Sequence, residues 1–188
     1  MTAFDTSAFD ARRLAPGVAA LAFFVTYALQ EVRTQKAENL LWACHLGCVL
    51  VGLGWLLESA ALNAFGLLWL LPGLIFWTLY LATGGQFKWG SCLTHVGGNA
   101  LGLLGAANFG FPSGIWWKAG FGYGLLVLLS RRLSRASQNV NFAIQVWPGW
   151  EKHFPSYRRY VTGLLLGAFA LFRALEFLLR SLSSLLVN

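Results

Sequence analysis

The sequence predicts an all-α polytopic bundle of about six membrane-spanning helices, one integral membrane domain over residues 1–188. Three observations lead there. Hydrophobic residues make up 57% of the chain and charged residues 11%, against roughly 25% charge in soluble domains. The apolar residues fall in blocks close to the ~20 residues that cross a ~30 Å hydrocarbon core. No polar stretch is long enough to fold as a domain of its own.

The first apolar block covers 14–29, behind Arg12 and Arg13. It has the outline of a signal peptide, but no small-x-small cleavage site follows, so it is expected to be retained. It is short for a span, and an interfacial placement stays open. The second block, 40–57, ends at "ESAALN", and the third covers 62–81. The fourth, 93–109, is joined to the fifth, 115–133, by "GFPSG", whose Pro112 and Gly114 are turn formers. Lys118 lies near the start of the fifth. The sixth covers 160–179, after the one long connection, 134–159. No internal repeat is visible, so an inverted-repeat transporter has no sequence support.

Charge sets the orientation. The net charge is +7, and six of the fourteen basic residues lie between Arg131 and Arg159, against Glu151 alone. The positive-inside rule puts that loop on the cytoplasmic side of a bacterial inner membrane. Counting back, 31–39 with Arg33 and Lys36, and 86–91 with Lys88, are also inside; the two short turns are outside. The N-terminus then falls outside if 14–29 spans. Arg12 and Arg13 oppose that, and Asp5 and Asp10 offset them little, because acids count for little in this rule. Basic residues beside apolar spans suit anionic lipid rather than nucleic acid. Membrane lipid is the expected partner, and a protein partner or a homo-oligomer stays open. Trp42, Trp89, Trp116, Trp117, Trp147 and Trp150 sit near span ends, as in an aromatic belt. The stretch "WPGWEKHFPSY" is expected to lie on the inner leaflet as an interfacial segment or lid.

This orientation gathers the chemistry on one face. Cys44, His45 and Cys48 head the second span; Cys92, His95 and Asn99 head the fourth; Asn139, Asn141 and His153 lie in the long inner loop. Steps of three and four put Cys44 with Cys48, and Cys92 with His95 and Asn99, on shared helix faces. Gly97, Gly98, Gly102 and Gly105 allow close helix packing around the fourth span, so His95 is expected to face protein. His95 either ties neighbouring helices together or belongs to a site, since ionisable groups inside spans are functional candidates.

One candidate chemistry is a thiol–imidazole pair. Cys44 would be the nucleophile and His95 the base that forms its thiolate. Asn99 or Asn139 would orient the ring or bind an oxyanion. His45, Asn141 and His153 would bind substrate or support the site, and an acyl chain would enter from the lipid. A second chemistry is metal or haem, with Cys48 and Cys92 as further candidate ligands. Adjacent Cys44 and His45 point ~100° apart on a helix and do not readily share one ion, so no cofactor is assigned. Against both stands a non-catalytic membrane subunit or assembly factor, in which cysteine is a small hydrophobe. Three cysteines give no disulfide framework and are read as reduced thiols. Arg173 and Glu176 can pair on one helix face, and Glu58 is expected to be solvated at the outer end of the second span.

The segments "LLWACH", "LTHVGGNALG" and "NVNFA" resemble those of a family of small, largely uncharacterised bacterial multi-span membrane proteins, over residues 38 to 160. More distantly, a reactive residue early in one span and a histidine in a later span resemble the androgen-induced type of integral-membrane lipid hydrolase and related acyltransferases. That resemblance implies a lipid-acyl site with Cys44 in the nucleophile position and His95 in the later span. "HVGGN" shares His-x-x-x-Asn with rhomboid proteases, but Ser113 falls in an outer turn and no histidine follows in the last span. A protease of that type is not expected.

Overall fold

The computed structural model describes the backbone of residues 11–187 and the side chains of residues 14–182. The charges of Asp5, Asp10, Arg12 and Arg13 lie outside those side chains. The described residues form six helices joined by turns, with no strand among them. In chain order they are α1 (Ala11–Arg33), α2 (Ala43–Leu56), α3 (Ala60–Ala82), α4 (89–109), α5 (Ile115–Leu133) and α6 (Tyr157–Val187). Three stretches are long and apolar enough to cross a membrane: Leu14–Arg33, Ala60–Ala82 and Tyr157–Leu182.

The sequence places the six blocks well, but their lengths differ. α1 continues past Leu29 because Glu31 is not solvated. Its carboxylate is fully buried, bonded to Lys88 Nζ at 2.5 Å and Asn39 Nδ2 at 2.7 Å. α2 is shorter than its apolar block, at 14 residues, or ~21 Å of helix. Residues 37–41 form a 3₁₀ turn instead, and the helix starts where Asn141 caps it. α6 outruns its block because no Gly or Pro interrupts "RSLSSLLV".

α2 packs between α1 and α3, α4 closes against all three, and α5 lies between α3 and α6. Small residues set the closest crossing. A Cβ built on Gly66 would lie 2.4 Å from the Gly47 carbonyl oxygen, so side chains there would force α2 and α3 apart. Buried polar side chains bond carbonyls of neighbouring helices: Asn63 Nδ2 to Gly102 O at 2.9 Å, Trp55 Nε1 to Leu101 O at 3.0 Å, and Trp69 Nε1 to Ala119 O at 3.1 Å. A donor without a partner is costly in an apolar medium, which makes such bonds selective for one packing.

At one end of the bundle Glu176 of α6 is buried, and its carboxylate accepts from Gly114 N and Trp116 N, both at 2.8 Å. It thereby caps the first turn of α5, where a negative charge also suits the helix dipole. Arg173 stands 3.8 Å from the same carboxylate. The expected pairing within one helix is present, and the cap of a second helix is added to it. The other end carries the turn after α1, the starts of α2 and α4, and the loop after α5. Lys88 meets Glu31 there, and Arg135 meets Glu38 at 2.5 Å.

Candidate functional site

The start of α4 brings two of the singled-out residues, His45 and His95, together. Residues Leu93–Gly97 form a π-helical turn within it, a widened turn found often at functional positions. Gly90 permits the approach to α1: a Cβ there would lie 2.8 Å from Tyr27 Cα. Gln30 Oε1 accepts from Gly90 N at 3.1 Å and fixes that crossing.

His95 and His45 meet between these helices. Their ring centroids are 5.2 Å apart at 78°, edge against face. Tyr27 stacks on His45 at 3.6 Å, and Trp77 stacks on His95 at 5.3 Å with planes 7° apart. Both histidines are buried. His95 Nδ1 lies 2.8 Å from the Ser91 carbonyl and 3.3 Å from Ser91 Oγ. A carbonyl only accepts, so this bond assigns the proton to Nδ1 and a lone pair to Nε2. Asn99 donates from Nδ2 to His95 O at 2.6 Å and to Leu70 O at 3.2 Å. The buried atoms His45 Nδ1 and Asn99 Oδ1 have no hydrogen-bond partner among the described residues.

Cys44 is near this cluster in sequence but spent differently. Its side chain is 7% exposed and packs in an apolar cluster with Cys48, Val51, Trp55 and Leu70. It fills the space at Gly73, where a Cβ would lie 2.3 Å from Cys44 Cβ. No hydrogen bond joins the Cys44 thiol to either histidine ring. Cys48 Sγ donates to Ala20 O at 3.3 Å, a tie from α2 to α1. Cys92 is half-buried, and all three thiols are free. Among the described residues no group of three His, Cys, Asp or Glu side chains is placed to hold a metal ion.

The loop asparagines act on backbone. Asn139 Oδ1 accepts from Ile144 N and Gln145 N, both at 3.0 Å, and Nδ2 donates to Gln145 O at 2.9 Å, closing its own loop. Asn141 reaches α2: Oδ1 accepts from Ala43 N at 2.9 Å, and Nδ2 donates to Leu41 O at 2.6 Å and Ser130 Oγ at 2.9 Å. Both asparagines have positive φ, 41° and 53°, a backbone region Asn tolerates better than most residues. His153 is exposed on this loop. Trp147 pins the loop, packing against Phe142 at 4.7 Å and Phe76 at 5.8 Å.

Sequence reasoning missed Tyr27, Trp77, Asn63 and Glu31. Tyr27 and Trp77 read as ordinary apolar positions. Glu31 carried a signal, an acid at the end of an apolar block, but the loop assignment 31–39 put it in water.

Outside the spans, the side-chain hydrogen bond from Arg135, with its charge, holds the Glu38 carboxyl below the usual glutamate range. No family model, no curated protein and no solved structure matches the chain.

Proposed function

We propose that the chain is a non-catalytic membrane protein of six spans in the bacterial inner membrane, with its basic end in the cytoplasm as its interaction surface. One observation carries this. The side chains best suited to chemistry are spent on tying the bundle: Cys48 to α1, Asn99 to α3, His95 to its own helix, and Asn141 to the start of α2. Cys44, the nucleophile of the competing account, is packed against Gly73 without an imidazole partner. Six helices whose charged turns gather at one end support the reading of six spans. α2 is short because residues 37–41 form a 3₁₀ segment ahead of it. Asn141 satisfies the backbone there, accepting from Ala43 N and donating to Leu41 O.

A second assignment, a lipid-acyl hydrolase or acyltransferase, is favoured by the unpartnered His45 Nδ1 and Asn99 Oδ1 beside the π turn. Buried polar atoms left over in this way call for water or a ligand.

The test combines orientation and turnover. A membrane-impermeant thiol reagent applied to whole cells should label Ser113→Cys and not Ser137→Cys in a background with the native cysteines replaced. Purified protein should release no fatty acid from acyl esters, and His95→Gln should lower its melting temperature. Labelling of Ser137→Cys from outside would reverse the orientation. Turnover abolished by His95→Gln would replace the tying role with a catalytic one.

A further inference from the structure

A cleft of about 370 Å³ lies between α5 and α6, lined by Val127, Leu128, Arg131, Tyr157, Arg158, Val161 and Thr162. Its two walls are built alike. On α5, Val127 and Leu128 sit one turn deeper than Arg131, and Arg131 sits near the end of the helix. On α6, Arg158 sits at the first turn, and Val161 and Thr162 sit one turn deeper. One turn is ~5.4 Å. Both helices therefore put a guanidinium in the outer layer and aliphatic carbon in the layer beneath.

The outer layer is positive and held in place. The Arg131 guanidinium lies 4.7 Å from the centroid of the Tyr157 ring, a cation–π contact that fixes its side chain. Tyr157 is itself held by its hydroxyl, which donates to Ala143 O. No acidic residue lines the cleft, and neither Arg131 nor Arg158 has an ion pair with a described residue. Arg135, close by in sequence, is already taken by Glu38.

We propose that this cleft binds one anionic phospholipid, its phosphate between Arg131 and Arg158 and an acyl chain against Val127, Leu128 and Val161. A free phosphate would leave the aliphatic layer unused, and a zwitterionic lipid would bring a third cation to a site that already has two. Guanidinium groups suit phosphate oxygens in both charge and shape. The site deepens the interaction surface proposed above and rests on that orientation only for its leaflet, the inner one.

Native mass spectrometry of the full chain in mild detergent tests it, with equal amounts of phosphatidylglycerol and phosphatidylcholine. Wild type should retain one phosphatidylglycerol in preference. The Arg131→Gln/Arg158→Gln protein should lose about 25-fold of that preference, at about a factor of five per arginine. Arg132→Gln/Arg159→Gln removes the same charge outside the cleft and should keep most of it. Independently, a phosphatidylglycerol with a photoreactive acyl chain should crosslink wild type at Val127, Leu128 or Val161. Equal retention of the two lipids, equal loss in both double variants, displacement by inorganic phosphate alone, or crosslinks only elsewhere would each overturn the proposal. A reversed orientation in the thiol-accessibility test would move the leaflet and leave the detergent result standing, so the two failures are distinct.

Discussion

Asn141 caps Ala43 across 98 positions of sequence: its Oδ1 accepts from the first amide of α2 at 2.9 Å, and its Nδ2 bonds the Leu41 carbonyl at 2.6 Å. One side chain of the loop after α5 thus fixes where α2 begins. α2 carries Cys44, His45 and Cys48, so that register decides what those residues meet.

Asn141→Ala should destabilise the protein by ~1–3 kcal/mol, because buried backbone groups lose their partners. Asn141→Gly separates the causes. It removes the same bonds but accepts the positive φ of 53° without a Cβ penalty. Thermal melts in detergent should place Gly above Ala and both below wild type. A melting temperature for Asn141→Ala equal to wild type would mean that the cap does not hold α2.

Glu31 and Lys88 tie α1 to the start of α4. Lys88→Met leaves a fully buried carboxylate with Asn39 as its remaining partner; Lys88 is itself 31% exposed, so the loss should fall below the ~3–5 kcal/mol of a fully buried pair. The Glu31→Gln/Lys88→Met double variant should be more stable than Lys88→Met, with a coupling of ~1–3 kcal/mol. Additive losses in the cycle would show that the two groups act independently.

Glu38 and Arg135 make the loop pair. The guanidinium depresses the carboxyl pKa in the folded state. Its stabilisation is therefore present above the ordinary glutamate pKa of ~4.3 and lost as pH falls through the lower folded-state value. Arg135 is exposed at 59%, so the effect is small and salt-sensitive. Wild type should melt slightly above Glu38→Gln at neutral pH and low salt, and the gap should close in acid or high salt. A gap that widens in acid would reverse the sign.

Periodicity and composition made the helices legible, since each apolar block announces itself locally. The shared end of Cys44, His45, Cys92 and His95 was legible through the positive-inside pattern. The pairing of His45 with His95 was not, because Tyr27 and Trp77, which hold the two rings, look like any other apolar residue. Asn141 and Glu176 stood out only as polar residues, since the helix each one caps is named by tertiary contact rather than by neighbours in sequence. The length of α2 was hidden for the same reason: Leu40 and Leu41 belong to the apolar block but lie in the 3₁₀ turn, and only the cap from Asn141 marks where the helix starts.

The central claim is that Cys44 and His95 are structural. Its most direct test labels detergent-solubilised protein with a lipophilic thiol probe and an acyl-fluorophosphonate, comparing wild type, Cys44→Ala and His95→Ala. Folding is checked by thermal melt in each case. The account predicts no labelling at Cys44 in folded wild type, and no labelling that depends on His95. Strong labelling at Cys44 that disappears in a folded His95→Ala protein would contradict it and establish an activated thiol.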